Sequence, residues 1–391
     1  MTTPVTPQII APRADTSAVL AGVNTAAAVS IVVACRNESS HIQLFLDSLL
    51  SQDFRGLDWE IIVADGASTD DTRARLDACA RRDPRITVID NPARTVSCGL
   101  NAAIRVARGD IILRVDAHTE YAPDYVRKCV DALALTNADN VGGPARTRAE
   151  GLLPRAIQAA YHSKFSTGGA RFHDDRHSGF VDTVPYGCWK KETLLRLGLF
   201  DEALVRNQDD ELNLRLTRSG GKIWQSADIV SWYRPRTTFS SLFRQYFQYG
   251  FWKVCVIRKH KVPGSWRHLV PGAFVAANVL LLLAAACLAL ASVALAPLAS
   301  GSPASSLALF SAAHAALLAW TVLFGVYALA CVVASFSAVR RHGWALFPFL
   351  LLAFAVFHVS YGLGFLIGSA YWPFARSSRS GLGDLFVGVT R

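Results

Sequence analysis

Two patterns of hydrophobic positions divide the chain. From Ser30 to Asp116, short apolar runs rich in β-branched residues alternate with amphipathic stretches, the pattern of a parallel sheet joined by crossover helices. It predicts strands at Ser30 to Cys35, Trp59 to Asp65, Ile86 to Asp90 and Asp110 to Asp116. Helices are expected over Ser39 to Ser51, Thr69 to Arg82 and Ser97 to Arg108, with Ser39 and Thr69 as N-caps and Asp70 and Asp71 favouring the positive end of the second. Asn37, Glu38, Asp65, Asp116 and His118 then fall at strand exits, the edge where open α/β sheets bind ligands. From about Ala149 to Tyr233 the alternation gives way to a region rich in Gly, His and aromatics, expected to form the acceptor half of the same domain.

Beyond it the pattern becomes continuous. Leu269 to Val339 and His342 to Ala375 contain no Asp, Glu, Lys or Arg, and a bilayer span needs only about 20 apolar residues. Three apolar segments are expected, Val270 to Leu295, Leu307 to Phe336 and Ala345 to Ala370, separated by PLASGSPASS and by Arg340, Arg341 and His342. Two spans return the arginine pair to the cytosol, but a third would carry Arg376, Arg379 and Arg391 outside, so its fate stays open between spanning and re-entry. Gly362, Gly364 and Gly368 lie in an apolar run without a βαβ context and point to helix packing, not to a nucleotide loop.

Composition agrees: 51% of the 391 residues are hydrophobic and the mean hydropathy is +0.26. The net charge of +10 changes meaning once located. Residues 1–228 hold 27 Lys plus Arg against 29 Asp plus Glu, whereas 229–268 hold eight basic residues and no acid. This juxtamembrane excess suits the positive-inside rule and anionic lipid, and argues against nucleic acid. The aromatic stretch Phe239 to Ile257 before it reads as an interfacial amphipathic helix. The eight cysteines show no CxxC pair and read as reduced, packed thiols. The N-terminus lacks a signal-peptide pattern and reads as a flexible leader, 1–29, leaving the globular part in the cytosol.

The DxH of Asp116 and His118 is weak by itself, and the acids of NQDDEL would suit any helix N-terminus. However, ACRNE (34–38), ADGASTDDT (64–72), GLNAAIRVARGDIILRVDAH (99–118) and NQDDELNLRL (207–216) occur in the order seen in family 2 glycosyltransferases. The chain resembles that family, and within it the succinoglycan and exopolysaccharide biosynthesis glucosyltransferases, which VDTVPYGCWKKE (181–192) and RQYFQYGFWK (244–253) also match. The resemblance implies an α/β GT-A domain over 30–235; the hydropathy and charge pattern adds an interfacial basic segment at 236–268, a helical membrane anchor at 269–375 and a tail at 376–391.

The resemblance further implies an inverting transferase at the cytosolic face of a bacterial inner membrane. It would move a sugar, glucose by subgroup likeness, from a UDP-sugar to a polyprenyl-linked or polysaccharide acceptor. Asp65 would contact the nucleoside, with Asn37 and Glu38 lining the same pocket and Arg94 and Asn101 adding donor contacts. Asp116 would face the diphosphate and, with His118 in the last place of the usual DxD, a divalent Mn²⁺ or Mg²⁺. Imidazole suits Mn²⁺ better, so a Mn²⁺ preference is expected. Gln208 and Asp209 stand where the family has Glu-Asp, which makes Asp209 the expected general base; Asp210 or Glu211 replace it if the register slips. Tyr186, Trp189 and Trp252 either stack a sugar or pack. A processive synthase, a nucleotide-sugar or second-messenger sensor and a transporter are the rival readings. The first needs more helices, the second needs no base, and the third fits poorly with only His314 and His358 as ionisable groups in the apolar runs.

Overall fold

The computed structural model describes residues 28–295 and 303–375; the expected leader and tail and most of the PLASGSPASS linker lie outside them. The first half alternates as expected: β1 (Ala28–Cys35), α1 (Ile42–Leu50), β2 (Asp58–Asp65), α2 (Thr72–Arg82), β3 (Ile86–Asp90), α3 (Val96–Val106) and β4 (Ile111–Arg114). β1 lies between β2 and β4, parallel to both, and β3 adds to the free side of β2. Successive side chains point to opposite faces, and with both faces covered the runs Ile31–Cys35 and Ile61–Ala64 are continuously apolar. Val29, Ile31 and Val33 pack with Ile42, Leu46 and Leu49 of α1, while Val32 packs with Leu100, Ala103 and Ile104 of α3 on the other face. Each such side chain contributes about 1.5–3 kcal/mol by leaving water, and Ile31→Ala would cost roughly 2–5 kcal/mol.

The second half extends the sheet. β5 (Thr119–Tyr121), α4 (Tyr125–Thr136), β6 (Asn140–Gly142), β7 (Arg146–Thr147), α5 (Leu152–Tyr161) and α6 (Lys164–Thr167) are followed by β8 (Gly179–Val181), β9 (Cys188–Lys190), α7 (Lys191–Leu197), α8 (Gln208–Arg218), β10 (Ile223–Gln225) and β11 (Ser231–Tyr233). The eight-stranded sheet runs β3-β2-β1-β4-β9-β6-β10-β8, with β9 antiparallel to β4 and to β6. β5, β11 and β7 form a separate small sheet. The expected N-caps at Ser39 and Thr69 are corrected: α1 and α2 each begin three residues later, because both segments are spent in a loop-to-loop network described below. Thr95, by contrast, caps α3 by accepting from Cys98 N.

α9 (Phe239–His260) leads to α10 (Val270–Leu295), α11 (Pro303–His342) and α12 (Phe347–Tyr371). Among the described residues, three helices are long and apolar enough to cross a membrane. They are not equivalent: 39% of the most apolar stretch of the third is buried, against 6% in each of the others. α12 lies on α9, and the glycines explain how. A Cβ on Gly364 or Gly250 would run into the backbone oxygen of Phe247 or Tyr361, and one on Gly368 would sit 2.8 Å from the Phe251 carbonyl. The two helix backbones therefore touch, the close approach that small residues permit. Phe251 and Trp252 are fully buried beside Trp372. All eight cysteines are free; Cys287 departs from the expected packing, being exposed on α10.

Candidate active site

The exits of β1 and β2 are tied to one another. Asn37 takes a left-handed conformation (φ 56°), which asparagine tolerates. Its backbone N–H donates to Ser68 Oγ at 2.9 Å, and its Oδ1 accepts from Thr69 N at 2.8 Å. Glu38 N donates to Thr72 Oγ1 at 2.6 Å, while Asp70 accepts from Ser39 N at 3.2 Å and Thr72 N at 3.0 Å. Asp65 ends β2 with its carboxylate accepting from Ser68 Oγ at 2.5 Å and Ser68 N at 3.2 Å.

Asn37, Glu38, Arg94 and Asp116 line a cavity of about 1190 Å³ at this sheet edge. Asp65, 3% exposed, is not among its lining residues and holds the loop at Ser68. Asn101 is a correction. It is 1% exposed and donates to the Phe200 carbonyl at 2.8 Å while accepting from Phe200 N at 2.9 Å, so its amide latches α3 to the segment after α7.

Past β4, Asp116 Oδ1 accepts from the His118 backbone N–H at 3.0 Å, and the His118 ring places Nε2 2.8 Å from Glu38 Oε1. Ligand atoms of Glu38, His41 and His118 lie within 4.8 Å of one another. Two imidazoles and a carboxylate, with Asp116 adjacent, fit a first-row divalent cation such as Mn²⁺. The expected Asp116–His118 pair is thus enlarged by Glu38, expected on the nucleoside side, and by His41. His41 carried no sequence signal; it comes to His118 because α1 starts late and puts it at the mouth of the loop.

α8 opens after Asn207, also left-handed (φ 61°), and carries three acids in its first turn. Successive residues diverge by about 100° around a helix, and the three carboxylates meet different partners. Asp209 forms an ion pair with Arg114, whose side chain is 6% exposed on β4. Burial works against that guanidinium, but Asp209, assisted by Asp116, holds its pKa above the ordinary arginine value. Asp210 pairs with Lys253 of α9; burial opposes its ionisation and Lys253 overcomes that, drawing its pKa below the usual carboxylate range. Glu211 is fully buried, accepting from Arg215 at 2.9 Å and Lys259 at 2.7 Å, with His260 Nε2 at 2.9 Å. Of the three, Asp209 and Asp210 line the cavity. Neither Arg114 nor Lys253 was anticipated as a site residue.

The cavity does not stop at the sheet. It continues past Tyr246 and Tyr249 of α9 to Trp266, Pro271 and, on α12, Phe357 and Tyr361. Tyr186 lines it with its hydroxyl 2.5 Å from Thr119 Oγ1; Trp189 and Trp252 are fully buried and pack.

The family model for glycosyl transferase family 2 matches residues 30–187. The chain is 32% identical over 243 residues to the succinoglycan biosynthesis protein ExoA of Rhizobium meliloti (strain 1021), covering 62% of this chain and 73% of that protein. It is 27% identical over 239 residues, 59% of this chain and 74% of the relative, to the dolichyl N-acetyl-alpha-D-glucosaminyl phosphate 3-beta-D-2,3-diacetamido-2,3-dideoxy-beta-D-glucuronosyltransferase of Methanococcus voltae. Among solved structures, the mannosyltransferase PcManGT of Pyrobaculum calidifontis, in complex with GDP-Man and Mn²⁺, shares the fold with a TM-score of 0.50 and 19% identity, over 83% of this chain and 85% of that one.

Proposed function

The chain belongs to glycosyltransferase family 2, and we propose that it transfers a sugar from a UDP-sugar to a lipid-linked oligosaccharide or polysaccharide in exopolysaccharide biosynthesis. That it is a glycosyltransferase of glycan biosynthesis follows from its relatives; donor, acceptor and setting are our reading. We take the donor sugar to be glucose, the metal to be Mn²⁺, and the setting to be the cytosolic face of a bacterial inner membrane. One observation carries the acceptor assignment: a single cavity joins Asp116 and Asp209 at the sheet edge to Phe357 and Tyr361 on an apolar helix. A glycan tethered to a lipid can reach the first while its tether lies against the second. The Methanococcus voltae relative, whose name specifies a dolichyl-linked acceptor, supports this.

In this mechanism Asp209 accepts the proton of the acceptor hydroxyl while that oxygen attacks the anomeric carbon from the face opposite the departing UDP, inverting the centre. Arg114 pairs with this carboxylate at the cavity wall and so fixes its position. Asp65, through Ser68, and Asn37, through Thr69, hold the two loops that form the nucleoside pocket, and Arg94 lies on the donor side. Glu38, His41, His118 and Asp116 would hold the divalent cation, which when bound neutralises charge on the leaving diphosphate.

The test is transfer by the full chain in detergent across a panel of UDP-sugars, with Mn²⁺ or Mg²⁺ and with lipid extract or soluble polysaccharide as acceptor. One sugar should enter the lipid fraction, faster with Mn²⁺. Transfer to soluble polysaccharide alone would overturn the acceptor assignment, and equal rates in both metals would remove the Mn²⁺ preference.

A further inference from the structure

The third apolar helix is long enough to cross a bilayer, yet the α/β domain holds it from end to end. Near its start, Leu350, Ala353 and Phe354 of α12 cluster with Ala156, Ile157 and Ala160 of α5. Midway, His358 Nε2 donates to the Phe165 carbonyl of α6 at 3.0 Å. Just past its end, Trp372 Nε1 donates to the Phe251 carbonyl of α9 at 2.9 Å, and the ring clusters with Leu204 and Val205, close ahead of Asp209. From Leu350 to Trp372 the chain rises about 33 Å at about 1.5 Å per residue, and a hydrocarbon core is about 30 Å thick.

An upright α12 would therefore put α5 and the Leu204–Val205 segment at opposite faces of a bilayer. Both belong to one folded domain: Gln158 of α5 donates to the Thr147 carbonyl of β7 at 2.7 Å, and Ser97 of α3 donates to the Leu204 carbonyl at 3.0 Å. α9 sets the same limit. It touches α12 backbone to backbone, and its side chains reach the α/β domain along its length, Gln248 to Arg206, Lys253 to Asp210 and Lys259 to Asp201. Burying those charges in hydrocarbon would be costly, so α9, and α12 with it, stays at the boundary. α10 is different. Its residues 276–295 reach about 30 Å, Leu280, Leu283, Leu290 and Val293 are all more than half exposed, and it pairs with α11, where the Phe274 and Tyr327 ring centroids are 4.4 Å apart.

We infer that α12 does not cross the membrane but lies in the plane of the leaflet facing the α/β domain, a platform that docks the domain on lipid while α10 and α11 make the crossing. This rests on the membrane setting proposed above. The outward side chains of the platform, Leu352 and Ile367, and Phe374 just beyond it, are exposed and meet acyl chains. Around them the exposed Trp266 and Trp344, with Lys261, Arg340 and Arg341, suit the headgroups of an anionic leaflet. The chain then leaves α12 on the side of the α/β domain, and Arg376 and Arg379, which follow in the sequence, stay on that side as the positive-inside rule asks.

The test reads sidedness and depth in the full chain. Alkaline phosphatase, active only outside the cytosol, and green fluorescent protein, fluorescent only inside it, are each inserted after Gly301 or fused after Arg391 in bacterial cells. The Gly301 insertion should give phosphatase activity and the Arg391 fusion should give fluorescence. For depth, nitroxide labels are placed at Leu352→Cys and Ile367→Cys in a Cys287→Ala background, with the unsubstituted background as blank, in bilayer discs containing anionic lipid. UDP binding reports the folding of each variant. The two labels are separated by about 22 Å along a helix; their depths, read by collision with oxygen and with a water-soluble nickel complex, should agree within about 10 Å.

Phosphatase activity from the Arg391 fusion would mean that α12 spans, and the inference fails alone. A depth difference above about 10 Å overturns it as well, even with the fusion in the cytosol, because α12 would then dip into the bilayer and return. Fluorescence from the Gly301 insertion would mean that α10 and α11 do not cross; the membrane setting then fails and takes the inference with it.

Discussion

The sheet end and the helical end of the cavity hold their acidic groups in opposite ways. At the sheet end, Asp65 and Asp70 accept from backbone N–H groups and hydroxyls of the loops that contain or adjoin them. At the helical end each acid is answered by a cation from elsewhere: Asp209 by Arg114 of β4, and Asp210 and Glu211 by Lys253 and Lys259 of α9. The first arrangement needs only the β1–β2 pair. The second exists only when the α/β domain, α8 and α9 are docked together. The loops after β1 and β2 therefore hold Asp65 and Asp70 locally, whereas the acids of α8 are held by assembly.

Substitutions can set the two ends against each other. Asp209→Asn removes the proposed base and should lower transfer by about 10²–10⁴-fold while UDP binding, measured by calorimetry, is unchanged; equal loss of both would mean the ends are not separable. Gly364→Leu drives a side chain into the Phe247 backbone and should separate α9 from α12. Overpacking costs typically about 1–3 kcal/mol and more where backbone must move; we expect transfer to fall well over tenfold and the melting temperature in detergent to drop, with UDP binding kept.

His41→Ala acts at the sheet end alone. It should weaken Mn²⁺ binding about tenfold, read by the paramagnetic resonance of free Mn²⁺, without altering the melting temperature of the apo-protein. The smallest effect is one of pH. Burial, with the His162 charge adding to it, pushes His173 down from 6.5 to about 3. Between those values the unfolded chain binds a proton that the folded one refuses, so stability falls as pH drops below about 6.5. Melting curves at pH 7.5 and 5 should differ by a few degrees, and His173→Phe should narrow the gap.

How much could be read beforehand follows the same division. β1 and β2 are buried on both faces over Ile31–Cys35 and Ile61–Ala64 and so write apolar runs there, and the motif order carried the family with them. Their N-caps were misplaced because Ser39 and Thr69 bond across to the other loop, some thirty residues away, where local capping rules have no reach. Asn101 was assigned to the donor by family likeness alone, and only the fold reveals Phe200 at both ends of its amide. Which of three consecutive acids turns to the sheet depended on helix phase, which pairs Asp209 with Arg114 some 95 residues upstream. Likewise the third apolar segment could not be interpreted by length, because its distinguishing property is the face it gives to α9.

The backbone crossing at Gly250 and Gly364 leaves no side-chain layer to slide or tilt upon. Asp209, bound through Arg114 to the sheet and flanked by Asp210, whose Lys253 partner lies on the same helix as Gly250, is thereby mounted at a set height above the helical bundle. A pair of glycines that line no part of the cavity thus fixes where α9 carries Lys253, the partner of Asp210, relative to α12.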